Sequence, residues 1–197
     1  MKKAIVILLI LSAGISFTAC KDAKKDKDAK TETGKGDLPD MKKIVDDHPG
    51  LNAGTGTYTI TAPEGWTEKD TSISGAKLTT VTSPADGGSD KFRENVNVTT
   101  ENAHGYNLND YVDANRSTME KQISSFNFID QGETTIGDQP AKWITYNFNY
   151  SGYDLKNTAY FVVKNDIGYV ITCTALKTTF DRFQSDFKTC VNSFKVN

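Results

Sequence analysis

From Gly56 onward the chain is written in alternation. "TYTITAP" (Thr57–Pro63) alternates and then turns at Pro63-Glu64-Gly65, and "AKLTTVTSP" and "ENVNVTTE" read as strands divided by the turn-rich "ADGGSD". The period then lengthens. In "NLNDYVDANRSTMEKQISSF", Leu108, Tyr111, Val112, Met119, Ile123 and Phe126 fall on one stripe at helical spacing. Alternation returns in "AKWITYNFNY", which puts Ile144, Tyr146, Phe148 and Tyr150 on one face and Trp143 and Thr145 on the other. "LKNTAYFVVK" and "IGYVITCTA" follow as two more strands, joined by a tight Asn165-Asp166 turn. The chain closes with "TTFDRFQSDFKTCVNSFKV", which reads as one amphipathic helix. Thr178 and Asp181 make a capping-box-like start, and Phe180, Phe183, Phe187, Cys190, Val191 and Phe194 make a buried stripe.

The order of strands, helix, strands, helix predicts an α+β domain whose antiparallel sheet is covered by helices. No internal repeat and no second hydrophobic run suggest a further domain, so the folded part is set at residues 56–197.

The first 55 residues have another texture. Lys2 and Lys3 precede an apolar run, "AIVILLILSAGI", that is shorter than the roughly 20 residues needed to cross a bilayer. The run reads as an export signal. Phe17-Thr18-Ala19-Cys20 resembles the bacterial lipobox, although Phe17 stands where Leu is commonest. The resemblance implies cleavage after residue 19 and acylation of Cys20, which would anchor the protein firmly, since two acyl chains suffice. The other reading is an ordinary secretory peptide with an incidental cysteine. Residues 21–40 hold six lysines and six acidic residues around one large apolar side chain, Leu38, so they cannot bury a core. Residues 20–55 are thus expected to form a lipid-anchored tether, with a helical turn or two at Met41–Asp47 before Pro49-Gly50. Lys21 occupies the position where aspartate signals inner-membrane retention in the best-known sorting rule. Outer-membrane placement is the expectation, on the periplasmic or the surface face.

Net charge narrows the partners. The chain carries −2 overall, and beyond residue 40 its 15 Lys and Arg face 19 Asp and Glu. With no clustered basic face, a nucleic-acid partner is not expected. Chemistry-bearing motifs are scarce. His48 lies in the tether, His104 lies in the loop "ENAHGYN", and no HExxH or CxxC supplies a zinc set. His104 with Glu101 is a weak metal pair, Gly87-Gly88 is a turn, and no nucleophile elbow or phosphate loop occurs. The expectation is a non-enzyme without cofactor or metal.

Tyr58, Ile60, Pro63 and Trp66 spell a Tyr-x-Ile-x-x-Pro-x-x-Trp opening. A central helix follows, then the long hairpin strands, then a terminal helix with Phe183, Phe187, Ser193, Phe194 and Lys195. This sequence of features resembles the PsbP-like superfamily, including DcrB-type envelope lipoproteins. The resemblance implies an α/β/α sandwich and roles as assembly factors, adaptors or envelope components. It carries over no metal-binding residue.

Cys173 shares a strand face with Tyr169 and Ile171, and Cys190 lies on the apolar stripe of the last helix. If that helix packs back on its own preceding strand, the two sulfurs can approach. A disulfide closing this loop of about 18 residues would add roughly 3 kcal/mol. Otherwise both thiols serve as small apolar side chains.

Two functions stay open. One is a lipid-anchored domain that docks an envelope protein complex. The other is a binder of a small ligand or glycan, motivated by "NFNYSGYDLKN" with Tyr150, Tyr153 and Asn157 as its contacts. A flat apolar patch would favour the first, and an exposed pocket the second.

Overall fold

The computed structural model describes residues 54–197, apart from residues 74, 88, 89 and 91. The expected signal, Cys20, the tether and the Met41–Asp47 turn lie outside the described residues. Among the described residues nine strands and two α-helices follow in the order β1 (Tyr58–Thr59), β2 (Thr67–Ile73), β3 (Ala76–Thr82), β4 (Asn95–Asn102), α1 (Leu108–Gln122), β5 (Asn127–Ile136), β6 (Gln139–Tyr150), β7 (Tyr153–Lys164), β8 (Ile167–Leu176), α2 (Gln184–Ser193) and β9 (Lys195–Val196). A 3-10 turn, Phe180–Phe183, leads into α2.

Strands β2 to β8 make one seven-stranded sheet in the order β2-β3-β4-β8-β7-β6-β5, antiparallel throughout. Its long central strands come from the alternating sequences, because alternation lets each strand bury one face against a helix. Hairpin turns set their register. Asn165 and Asp166 both take positive φ (53° and 62°), as a two-residue hairpin of this type requires. Ser151 and Gly152 do the same between β6 and β7 (49° and 84°), directly within the segment read as a ligand contact.

Side chains bury on both faces of the sheet. One core gathers Val96, Val98, Ile171, Cys173 and Ala175 beneath Phe180, Phe187, Cys190, Val191 and Phe194. The opposite core gathers Ile144, Tyr146, Phe148, Leu155, Ala159 and Phe161 beneath Tyr111, Val112 and Met119 of α1. The faces assigned to Ile144, Tyr146 and Phe148 are thus observed. The fold is a large antiparallel sheet with two helices. The sandwich expected from the resemblance is met only in part, since one short helix cannot cover seven strands.

Three local expectations are corrected. The strand read over Thr57–Pro63 shrinks to Tyr58–Thr59, which pairs with β9 at the far end of the chain. The last segment is not one helix, since its first turn is 3-10. Nor does the Thr178–Asp181 box form. Thr179 is the residue before the turn, and its hydroxyl donates to Glu94 Oε1 at 3.1 Å, while Asp181 accepts from Gln184 Nε2 at 2.9 Å. α1 is capped as its sequence allows, with Asn107 Oδ1 accepting from the Asp110 amide at 3.0 Å.

Cys173 and Cys190 come into the same core, as packing of the last helix on its preceding strand requires, but both are free thiols here. They pack as small apolar side chains rather than as a cross-link.

A trough between the last helix and the sheet

Helix α2 crosses one face of the sheet and leaves part of β5, β6 and β7 uncovered. The 3-10 turn holds one end of the crossing to the sheet, where Lys156 Nζ meets Asp181 Oδ1 at 3.2 Å. At the other end Gly137 takes φ 61° to turn β5 into β6, and a Cβ there would stand 3.3 Å from the Phe194 carbonyl. The space left between helix and strands is a trough of about 440 Å³.

Its floor is a ladder of cross-strand pairs. Trp143 lies opposite Tyr160 and Thr145 opposite Thr158, and all four line the trough. The two threonine hydroxyls are 2.9 Å apart. Lys156 lies two residues before Thr158 on β7 and also lines the cavity. Phe180, Phe187 and Val191 form the buried wall, while Gln184, Lys188 and Asn192, spaced four apart on α2, form the exposed rim. Across the mouth stands Ile129, the one large exposed hydrophobic residue among those described, at 43%. It falls where the β5–β6 register shifts between Phe128 and Asp130, so a bulge in the edge strand turns it outward. Gly132 is required beside Trp143: a Cβ there would meet the indole at 2.7 Å.

Burial sets the electrostatics of the trough. Lys156 is only 23% exposed, and its ammonium lies 4.6 Å from the centre of the Phe180 ring. Burial pushes the Tyr160 hydroxyl up to about 12, so it remains a donor at ordinary pH. Burial, with Cys190 close by, pushes the Cys173 thiol well above its usual range, which keeps it from acting as a thiolate. No histidine lines the trough. Among the described residues no group of three or more His, Cys, Asp or Glu side chains is placed to hold a metal ion. Glu101, paired with His104 as a weak metal site on sequence grounds, is buried and accepts the Tyr111 hydroxyl at 2.5 Å.

Tyr150, Tyr153 and Asn157 sit elsewhere. Tyr150 and Tyr153 face each other across the Ser151-Gly152 turn, packed on the α1 core. Asn157 is buried, and its Nδ2 donates to the Tyr146 hydroxyl at 3.0 Å. None of the three lines the trough, which opens on the other face of the sheet. Periodicity alone does not mark the trough residues, which lie on the second face of β6 and β7. A usable signal was present: an indole, hydroxyls and a lysine occupied positions where a fully covered face would be aliphatic.

The sequence profile of the PsbP-like protein family matches residues 58–196. The chain is a PsbP-like protein. The four opening residues that carry the resemblance have a packing role: Tyr58, Ile60 and Pro63 are buried, and Trp66 packs on the α2 core. LpqN of Mycobacterium tuberculosis, described as involved in cell envelope biogenesis, shares the fold with a TM-score of 0.55 at 10% identity, over 75% of this chain and 87% of LpqN. PA94 of Pseudomonas aeruginosa, a protein of unknown function, superposes with a TM-score of 0.53 at 16% identity, over 64% of this chain and 94% of its own. The cyanobacterial PsbP of Synechocystis does so with a TM-score of 0.50 at 14% identity, over 73% and 95%. At these identities the likeness establishes the fold alone. No curated protein matches the sequence. No helix among the described residues of this PsbP-like protein is long and apolar enough to cross a membrane.

Proposed function

We propose that this PsbP-like protein is a lipid-anchored component of the bacterial cell envelope, held at the outer membrane through Cys20, whose domain binds a small ligand in the α2 trough and catalyses no reaction. The trough carries this reading. Its volume of about 440 Å³ lies in the range of small-molecule sites, and it joins rings, hydroxyls and a half-buried cation in one concavity. Anchoring is supported by the lipobox-like Phe17-Thr18-Ala19-Cys20 and the charged segment after it. An envelope setting is in keeping with what is said of LpqN. Docking on an envelope protein complex has less support, because Ile129 is the one large exposed hydrophobic residue among those described and makes no patch by itself.

Two measurements test the proposal. Cells fed a palmitate analogue should label the native chain and leave Cys20→Ser unlabelled, and label on the variant would end the anchoring claim. Native mass spectrometry of the exported Cys20→Ser chain should detect small molecules that Trp143→Ala no longer retains. Equal retention by both would place binding outside the trough.

A further inference from the structure

We infer that the ligand is a small anion with a flat apolar body, its ring lying on Trp143 and Tyr160 and its charged group reaching Lys156. This rests on the trough being the binding site. The argument comes from the order of the ladder along β6 and β7. Trp143 pairs with Tyr160, Thr145 with Thr158, and Asn147 with Lys156, in successive rows on one face. Each row advances two residues, about 6.7 Å, so the floor passes from aromatic to hydroxyl to cationic over roughly 13 Å. A ligand that matches it is apolar at one end, accepts hydrogen bonds in the middle, and is negative at the other end.

The cationic end is built to exchange its partner. The Lys156 ammonium has three donors, and the carboxylate it now meets, Asp181, is 81% exposed, so that contact is a weak surface-type pair. Asp181 also keeps Gln184 Nε2 as a donor at 2.9 Å, so it is not stranded when Lys156 turns to a ligand. Lys188 adds a second cation at the rim, against Asp130 as the acidic group in the lining. An extended peptide pairing with the β5 edge is the less fitting occupant. The bulge between Phe128 and Asp130 breaks the regular ladder a new strand would need, and Asp130 and Glu133 guard the edge.

The test uses the exported Cys20→Ser chain and two probes of the same shape, naphthyl-hexanoate and its uncharged primary amide, titrated by calorimetry. The acid should bind about tenfold more tightly than the amide, a charge-assisted contact of about 1.4 kcal/mol. Lys156→Gln should bring the acid down to the affinity of the amide, and Lys156→Arg should keep the preference. Trp143→Leu should weaken both probes. Equal binding of acid and amide, both weakened by Trp143→Leu, would overturn the anion and leave the trough standing as a binding site. Binding of neither probe, or binding indifferent to Trp143→Leu, would overturn both readings.

Discussion

The hydroxyl of Tyr111 on α1 donates to Glu101 Oε1 on β4 at 2.5 Å, in a space where the tyrosine is 1% exposed and the glutamate 9%. Burial pushes the Glu101 carboxyl up from 4.5 to about 7, and hydrogen bonds from Tyr111 and Asn115 offset this only in part. The folded protein thus favours the neutral acid more than the unfolded chain does. Below pH 4.5 both states are protonated and nothing is lost; above pH 7 both are ionised and the full burial cost, roughly 3 kcal/mol, weighs on the fold. Urea unfolding should show stability falling as pH rises from 4.5 to 7, and Glu101→Gln should flatten that slope. A slope unchanged in the variant would assign it to other groups.

Gly132 and Trp143 are paired across β5 and β6, and the ring occupies the space a Cβ would take. Gly132→Ala should displace the indole, altering its near-ultraviolet dichroism and lowering stability by about 1 kcal/mol, as a mild overpacking does. An unaltered aromatic spectrum would mean the ring has room to spare.

Phe187 is buried against Trp66, Phe180 and Phe183, with ring centroids 6.0, 5.4 and 6.3 Å away. Phe187→Ala should cost about 3–5 kcal/mol. Phe183 is half-buried and should cost less. Arg182 reaches Asp86 at 2.6 Å, but both side chains are more than half exposed, so Arg182→Ala should stay within about 0.5 kcal/mol. Denaturant midpoints for the three variants check the ranking.

Cys173 and Cys190 should both be inert to a thiol reagent in the native protein, because both are buried and their thiols are pushed up by burial. In urea without reductant both should react. If neither reacted there, the protein would carry the disulfide.

What the sequence disclosed follows from which strands are buried. β6, β7 and β8 lie inside the sheet, and their alternation or continuous apolar character announced them. β2 and β5 are the two edges of the sheet and were not foreseen. Thr67–Ser72 and most of "NFIDQGETTI" are exposed, so neither face had to be apolar and no period was imprinted. The last helix was legible as an amphipathic stripe, but the three-residue step from Phe180 to Phe183 suits a 3-10 turn as well as an α-helix. The trough needed something no periodicity contains: how far α2 reaches across the sheet. Asn157 misled for a related reason. Its polar side chain reads as exposed, whereas it is buried against Tyr146.

The short sheet of β1 and β9 joins the two ends of the described chain. Tyr58 pairs with Val196, the Asn197 amide donates to the Thr57 carbonyl at 3.0 Å, and the Thr61 amide donates to Ser193 Oγ at 2.8 Å on the last residue of α2. Tension applied through the residues before Gly56 would meet the bond from Thr100 Oγ1 to the Gly54 carbonyl at 2.6 Å first, and then the few bonds that fasten the end of α2. The wall of the trough lies in series with the N-terminal end of the described chain. A pull on the N-terminal side that breaks the Thr100–Gly54 bond would peel β1 next, and a freed β1 would loosen the helix over the ladder of Trp143 and Tyr160. Mechanical load on that side and the proposed occupancy of the trough would oppose each other.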